Sequence, residues 1–136
     1  MPAHKSVVDL QIRYGDMDTL GHANNAVYLT YFELGRIDLL KKYDMLKNID
    51  EINFVIARAE IDYRKAITLF SSPVLETYIS RTGNTSVTFE HVIYEKDNGD
   101  VYCNGKTIAV FLKGGKKEKV PDAIRSISED QAGAML

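Results

Sequence analysis

The stretch best equipped for chemistry is RYGDMDTLGHANNAVYLTYFELGR, residues 13–36. It crowds Asp16, Asp18, His22, Asn24 and Asn25 between the end of an alternating strand and the start of a long apolar segment. A carboxylate so placed can serve as nucleophile or general base. Backbone N–H groups at a helix N-terminus carry about half a positive charge and can hold an oxyanion. The same residue types also have a purely local use. Asp16 and Asp18 suit Asx-turns, and Asn24 or Asn25 suits the helix N-cap. Spacing alone leaves the catalytic and local readings even, and does not choose between the two aspartates.

Other chemistries find less support. His4, His22 and His91 are isolated, and neither an H-E-x-x-H nor a paired-cysteine spacing occurs, so no protein-bound metal is expected. His91 lies in a strand pattern, where a hydrogen-bonded core histidine is the expectation. The lone Cys103 reads as a small buried hydrophobe. GxSxG, P-loop and GxGxxG patterns are absent, which weakens serine-hydrolase, nucleotide-hydrolase and dinucleotide readings. The run KGGKKEK, residues 113–119, reads as a charged, solvated loop.

The elements that must position residues 13–36 follow from periodicity. Val8, Leu10, Ile12 and Tyr14 alternate with Asp9, Gln11 and Arg13, as in a half-buried strand. From about Asn25 to Tyr43 the chain is apolar on most sides of a helical wheel, so a buried helix is expected. Gly35 costs that helix about 1 kcal/mol of propensity, which close approach to a sheet would explain. Four strands follow, near residues 55–63, 73–82, 86–95 and 101–112. In the first of these, Val55, Ala57, Ala59, Ile61 and Tyr63 are expected to face inward. Asn98-Gly99 marks a hairpin, and short connections imply antiparallel pairing. One long helix against such a sheet is α+β.

Composition fits one small domain. The chain has 136 residues, 45% hydrophobic and 26% charged, with a net charge of −2. It is neither disordered in composition nor a dedicated nucleic-acid binder. No apolar run reaches the roughly 18 residues of a membrane span, and no signal-peptide core is seen. With a single cysteine, a cytoplasmic location is expected. Residues 1–136 are expected to form one domain, with a core over about 6–113 and a tail over 114–136 that holds a short helix after Pro121 and frays at its end.

The segment from Gly15 to Arg36 resembles the signature of hotdog-fold acyl-CoA thioesterases of the 4-hydroxybenzoyl-CoA thioesterase type. The matching residues are Asp18, Gly21-His22, Asn24-Asn25, Tyr28, Glu33 and Arg36. The strand–helix–four-strand order agrees with a hotdog fold, a sheet wrapped around one helix. The resemblance makes Asp18 the catalytic carboxylate and Asp16 a positioning or turn residue. It places His22, Asn25 and Tyr28 around the substrate, and Glu33 in a buried hydrogen bond or paired with Arg36.

The implied reaction is hydrolysis of an acyl-CoA, or of an acyl-carrier-protein thioester, to free acid and thiol. Asp18 acts in it as nucleophile or general base, with no cofactor. A carboxylate ionised at neutral pH suits a nucleophile, whereas a general base needs its pKa raised by desolvation. Met17 and Leu20 are candidates to supply that desolvation. Arg58, Arg64, Lys65 and Arg81 are candidates for the CoA phosphates, Arg64 and Arg81 foremost. Tyr31, Phe32, Phe54 and Tyr63 are candidates to line an acyl pocket. A hotdog dehydratase built on His22 and a non-catalytic acyl-thioester binding module remain alternatives. A homodimer or homotetramer is expected, which would cover an otherwise bare sheet edge.

Overall fold

A computed structural model describes residues 2–46 and 53–130. Strand β1 (Ser6–Asp9) leads through a 3-10 turn (Tyr14–Asp16) to helix α1 (Val27–Lys42). Then come β2 (Phe54–Tyr63), β3 (Pro73–Thr82), β4 (Ser86–Glu95) and β5 (Val101–Lys113), and finally β6 (Lys116–Lys117), α2 (Asp122–Arg125) and β7 (Ser128–Asp130). The sheet runs β1-β3-β4-β5-β2, with β6 on β5 and β7 on β3. Among the described residues, only the β3–β7 pair is parallel. This antiparallel sheet around one long helix is the expected α+β hotdog fold. Among the described residues, no helix is long and apolar enough to cross a membrane.

The first strand is shorter than its alternation suggests. Asp9 pairs with Val74, and the Leu10 N–H donates to the Pro73 carbonyl, where β3 begins. Beyond that point the chain has no partner strand, and Ile12 and Met17 instead pack against the core.

Helix α1 lies against β3 so closely that a Cβ on Gly35 would overlap Thr77 Oγ1 and sit 2.9 Å from Leu75 Cδ2. This is the close approach that the glycine's helix cost implied. A Cβ on Gly105 of β5 would likewise overlap the Phe32 ring, so the missing side chain makes room for Phe32. The helix is not buried on all sides, however. Leu29, Glu33 and Leu34 form an exposed strip, with Leu34 51% exposed.

Under the middle of the helix sits a polar cluster. His91 Nδ1 lies 3.1 Å from Thr77 Oγ1 and its Nε2 2.9 Å from Thr107 Oγ1, with the Phe32 ring stacked on the imidazole at 4.3 Å. Arg36 is buried beside it and donates from Nη1 to Thr107 Oγ1 at 3.4 Å. Burial, and then the charge of Arg36, depress the His91 pKa to about 3. Glu33 plays the expected part only weakly. It is exposed and makes no ion pair with Arg36 among the described residues, yet its charge raises the Arg36 pKa against the larger lowering by burial.

Strand β2 departs from simple alternation because a bulge falls between Ile56 and Arg58. The extra residue reverses the inward face. Before it Phe54 points inward, packing on Phe89 and Phe111, while Val55 is 50% exposed; after it Ile61 packs on the core. Packing also extends past residue 113. The KGGK run is a tight hairpin turning on Gly114 and Gly115, both at positive φ, rather than a loose loop. Val120, Ile124 and Ile127 are buried against Leu39 and Leu40. The helix after Pro121 has four residues, and the expected fraying at the end lies outside the described residues.

Candidate active site

The segment from Met17 to Ala23 closes on itself as a small loop in front of α1. Met17 and Ala23 form a β-bridge, the Asp18 N–H donates to the His22 carbonyl at 2.8 Å, and the Gly21 N–H donates to the Asp18 carbonyl at 3.1 Å. Gly21 sits at φ +77°, a conformation that suits glycine. The Ala23 N–H donates to the Ile67 carbonyl at 2.8 Å, tying this loop to the one that follows β2.

The two aspartates have separate environments. Asp16 is buried. It accepts hydrogen bonds from the Arg13 backbone and guanidinium and, at 2.9 Å, from the Tyr31 hydroxyl. Burial pushes its carboxyl up, but the bonds from Arg13 and Tyr31 outweigh this and hold it below its ordinary value. Asp16 is thus fully engaged in anchoring the loop. Asp18 is half-buried. Its Oδ1 accepts the N–H groups of Leu20 at 2.8 Å and His22 at 3.2 Å, while its Oδ2 has no hydrogen bond among the described residues. The local Asx use and an available carboxylate oxygen therefore coexist in one side chain.

The helix entry is equally specific. Asn24 Oδ1 accepts the Ala26 N–H at 2.9 Å, and the Asn24 carbonyl accepts the Val27 N–H at 3.0 Å. The Asn25 carbonyl accepts the Tyr63 hydroxyl at 2.8 Å. The Asn25 N–H finds no acceptor among the described residues. An open cleft of about 400 Å³ lies here, lined by Asp18, Leu20, His22, Ala23, Asn25, Tyr28 and, from β2 and its following loop, Tyr63, Arg64, Lys65 and Ala66.

Of the residues picked from sequence, Asp18, His22, Asn25, Tyr28 and Arg64 all border this cleft. Arg81 does not. It lies on β3 beside Arg58, Ser80 and Lys106 in a separate groove on the sheet. Of the acyl-pocket candidates only Tyr63 lines the cleft. Tyr31 is buried with its hydroxyl on Asp16, Phe32 is fully buried, and Phe54 belongs to the other core cluster. Met17 is largely packed into the core, and Leu20 is 77% exposed, so the pair gives Asp18 little shelter. Tyr28 meets Tyr63 edge to face at 5.0 Å, and burial pushes its phenol up to about 12, so it stays neutral. Cys103 is buried and its thiol is likewise raised to about 12 by burial. Lys65 pairs with Asp100 at 3.0 Å.

The thioesterase-like superfamily model matches residues 12–127. The chain belongs to the thioesterase-like superfamily. Among solved structures, this thioesterase-like chain is similar to a thioesterase of Thermus thermophilus complexed with coenzyme A and Zn, at 36% identity and a TM-score of 0.78 over 89% of each chain. It is also similar to a predicted thioesterase of Bacillus stearothermophilus, at 30% identity and a TM-score of 0.80 over 90% of this chain and 92% of the other. An acyl-acyl carrier protein thioesterase of Arabidopsis thaliana (ATL3, chloroplastic) is 30% identical over 125 residues, 88% of this chain and 65% of that protein. The chain thus spans just under two thirds of that plant relative. Among the described residues, no group of three His, Cys, Asp or Glu side chains is placed to hold a metal ion.

Proposed function

We propose that this protein is an acyl-CoA thioesterase that hydrolyses its substrate to a free carboxylic acid and CoA, with Asp18 as the catalytic carboxylate. One observation carries the reading. The same cleft is lined by Asp18, whose Oδ2 has no hydrogen bond among the described residues, and by Asn25 before α1, whose backbone N–H is likewise unclaimed. The two backbone bonds on Oδ1 fix the carboxylate plane. Oδ2 then attacks the thioester carbonyl, the C–S bond breaks to release CoA thiolate, and water cleaves the resulting mixed anhydride to free acid and Asp18; or Oδ2 takes a proton from a water that adds to the carbonyl, and the C–S bond then breaks to give acid and CoA thiolate. In either case the carbonyl oxygen becomes an oxyanion, and the Asn25 N–H at the positive end of the helix receives it. Arg64, with no ion pair among the described residues, serves the phosphates of CoA. The coenzyme A bound by the Thermus thermophilus relative supports that choice of thiol, and the plant relative's name supports an acyl-carrier-protein thioester as the alternative substrate.

The functional unit in this proposal is a homodimer or homotetramer. Among the described residues, strand β2 is hydrogen-bonded on one side only, to β5, and its Val55 and Ile56 are exposed. A second copy on that edge would cover it and meet the cleft where Tyr63 and Arg64 end the strand. A cytoplasmic location belongs to the same proposal, supported by the single free cysteine. The test is thiol release from short, long and aromatic acyl-CoAs, with sizing at micromolar concentration. Release of CoA by an oligomer supports the reading. Binding of acyl-CoA without thiol release refutes it in favour of a binding module.

A further inference from the structure

The peptide link between Asn25 and Ala26 is held from both sides. Its N–H is taken by the Asn24 side chain, and its carbonyl by the Tyr63 hydroxyl at 2.8 Å, from a residue 38 positions away on another element. The preceding link has its carbonyl taken by the Val27 N–H, which leaves the Asn25 N–H as its one free group among the described residues. The Tyr63 ring is itself braced, edge to face at 5.0 Å on the buried Tyr28. Without that hydroxyl, the Asn25 carbonyl would lose its one hydrogen bond among the described residues, leaving only the Asn24 side chain to hold the link beside the Asn25 N–H.

We infer that Tyr63 is a positioning residue for catalysis: its hydroxyl clamps the Asn25 carbonyl and so aims the Asn25 N–H at the oxyanion that forms in the cleft. Tyr63 does not touch the reacting atoms in this account. It sets the angle of the group that does, and so acts on the transition state more than on substrate binding. The inference rests on the proposed thioester hydrolysis, which is the reaction that puts an oxyanion in the cleft.

Tyr63→Phe tests it, since the ring packing survives and only the hydroxyl is lost. The expected result is a fall in kcat of about tenfold or more with KM within about twofold, at an unchanged melting temperature. The Ala26 amide, whose nitrogen shares the link with the Asn25 carbonyl, should also move in a ¹⁵N–¹H correlation spectrum of the substrate-free protein. Wild-type kcat in Tyr63→Phe, or a rise in KM alone, overturns the clamp while leaving the hydrolysis standing. If the wild-type protein releases no thiol, the proposed function fails. An unmoved Ala26 amide then overturns the clamp separately. Tyr63→Leu should add a rise in KM, because the ring lines the cleft.

Discussion

Acid should strip stability from this fold through His91. The imidazole is buried between the hydroxyls of Thr77 on β3 and Thr107 on β5, under Phe32 and beside the Arg36 guanidinium of α1. Its pKa falls from 6.5 to about 3 in the folded protein. The unfolded chain therefore takes up a proton from about pH 6.5 downward, and the folded one only near pH 3. Stability is full above pH 6.5 and is lost as pH falls toward 3, at up to about 1.4 kcal/mol per pH unit. Between pH 7 and pH 5 the loss is about 2 kcal/mol. The carboxyls of Asp16 and Glu76 are also held below their unfolded values, but those lie at 3.8 and 4.5, so their contributions are lost at lower pH. Urea unfolding at pH 7, 6 and 5 reads the slope, and His91→Gln should flatten it. Equal stability at pH 7 and pH 5, or a His91 ring that titrates near 6.5 by NMR, would refute the buried neutral imidazole.

Two further outcomes follow from packing at the same level of detail. Gly35→Ala should destabilise by roughly 1–3 kcal/mol in urea unfolding, because the new methyl meets Thr77 Oγ1 and Leu75 and overpacking outweighs the gain in helix propensity. Asp16→Asn should lower the melting temperature by weakening the charged bond to Arg13, at a cost of about 1–3 kcal/mol, while changing kcat far less than substitution of Asp18 does.

The helix, the four long strands and the Asn98-Gly99 hairpin were legible because each carries a strong local period or turn signal. Gly99 does sit at φ +79° there. What escaped depended on partners distant in sequence. The bulge at Ile56 to Arg58 reversed the inward face of β2, and no alternation pattern announces an inserted residue. The exposed strip of α1 carries Leu29 and Leu34, whose apolar character reads as burial when the chain is considered alone. At the site, only the resemblance separated Asp18 from Asp16; their environments differ, since Arg13 and Tyr31 engage Asp16 whereas Asp18 Oδ2 has no hydrogen bond among the described residues, and the proposal builds on that difference. Arg81 lies in a groove apart from the cleft within one copy of the chain, a placement that no local pattern of basic residues announces. The bond from Tyr63 to Asn25 spans two elements and has no local signature.

The central claim is that the free oxygen of Asp18 does the chemistry. Asp18→Asn tests it most directly, because the asparagine oxygen can still accept the Leu20 and His22 N–H groups and the loop stays closed. In a thiol-release assay with an acyl-CoA that the wild-type protein hydrolyses, the account predicts a fall in kcat of at least about a hundredfold, about 2.7 kcal/mol of lost transition-state stabilisation, in a protein of unchanged melting temperature. Near-wild-type turnover by the folded Asp18→Asn protein would contradict it.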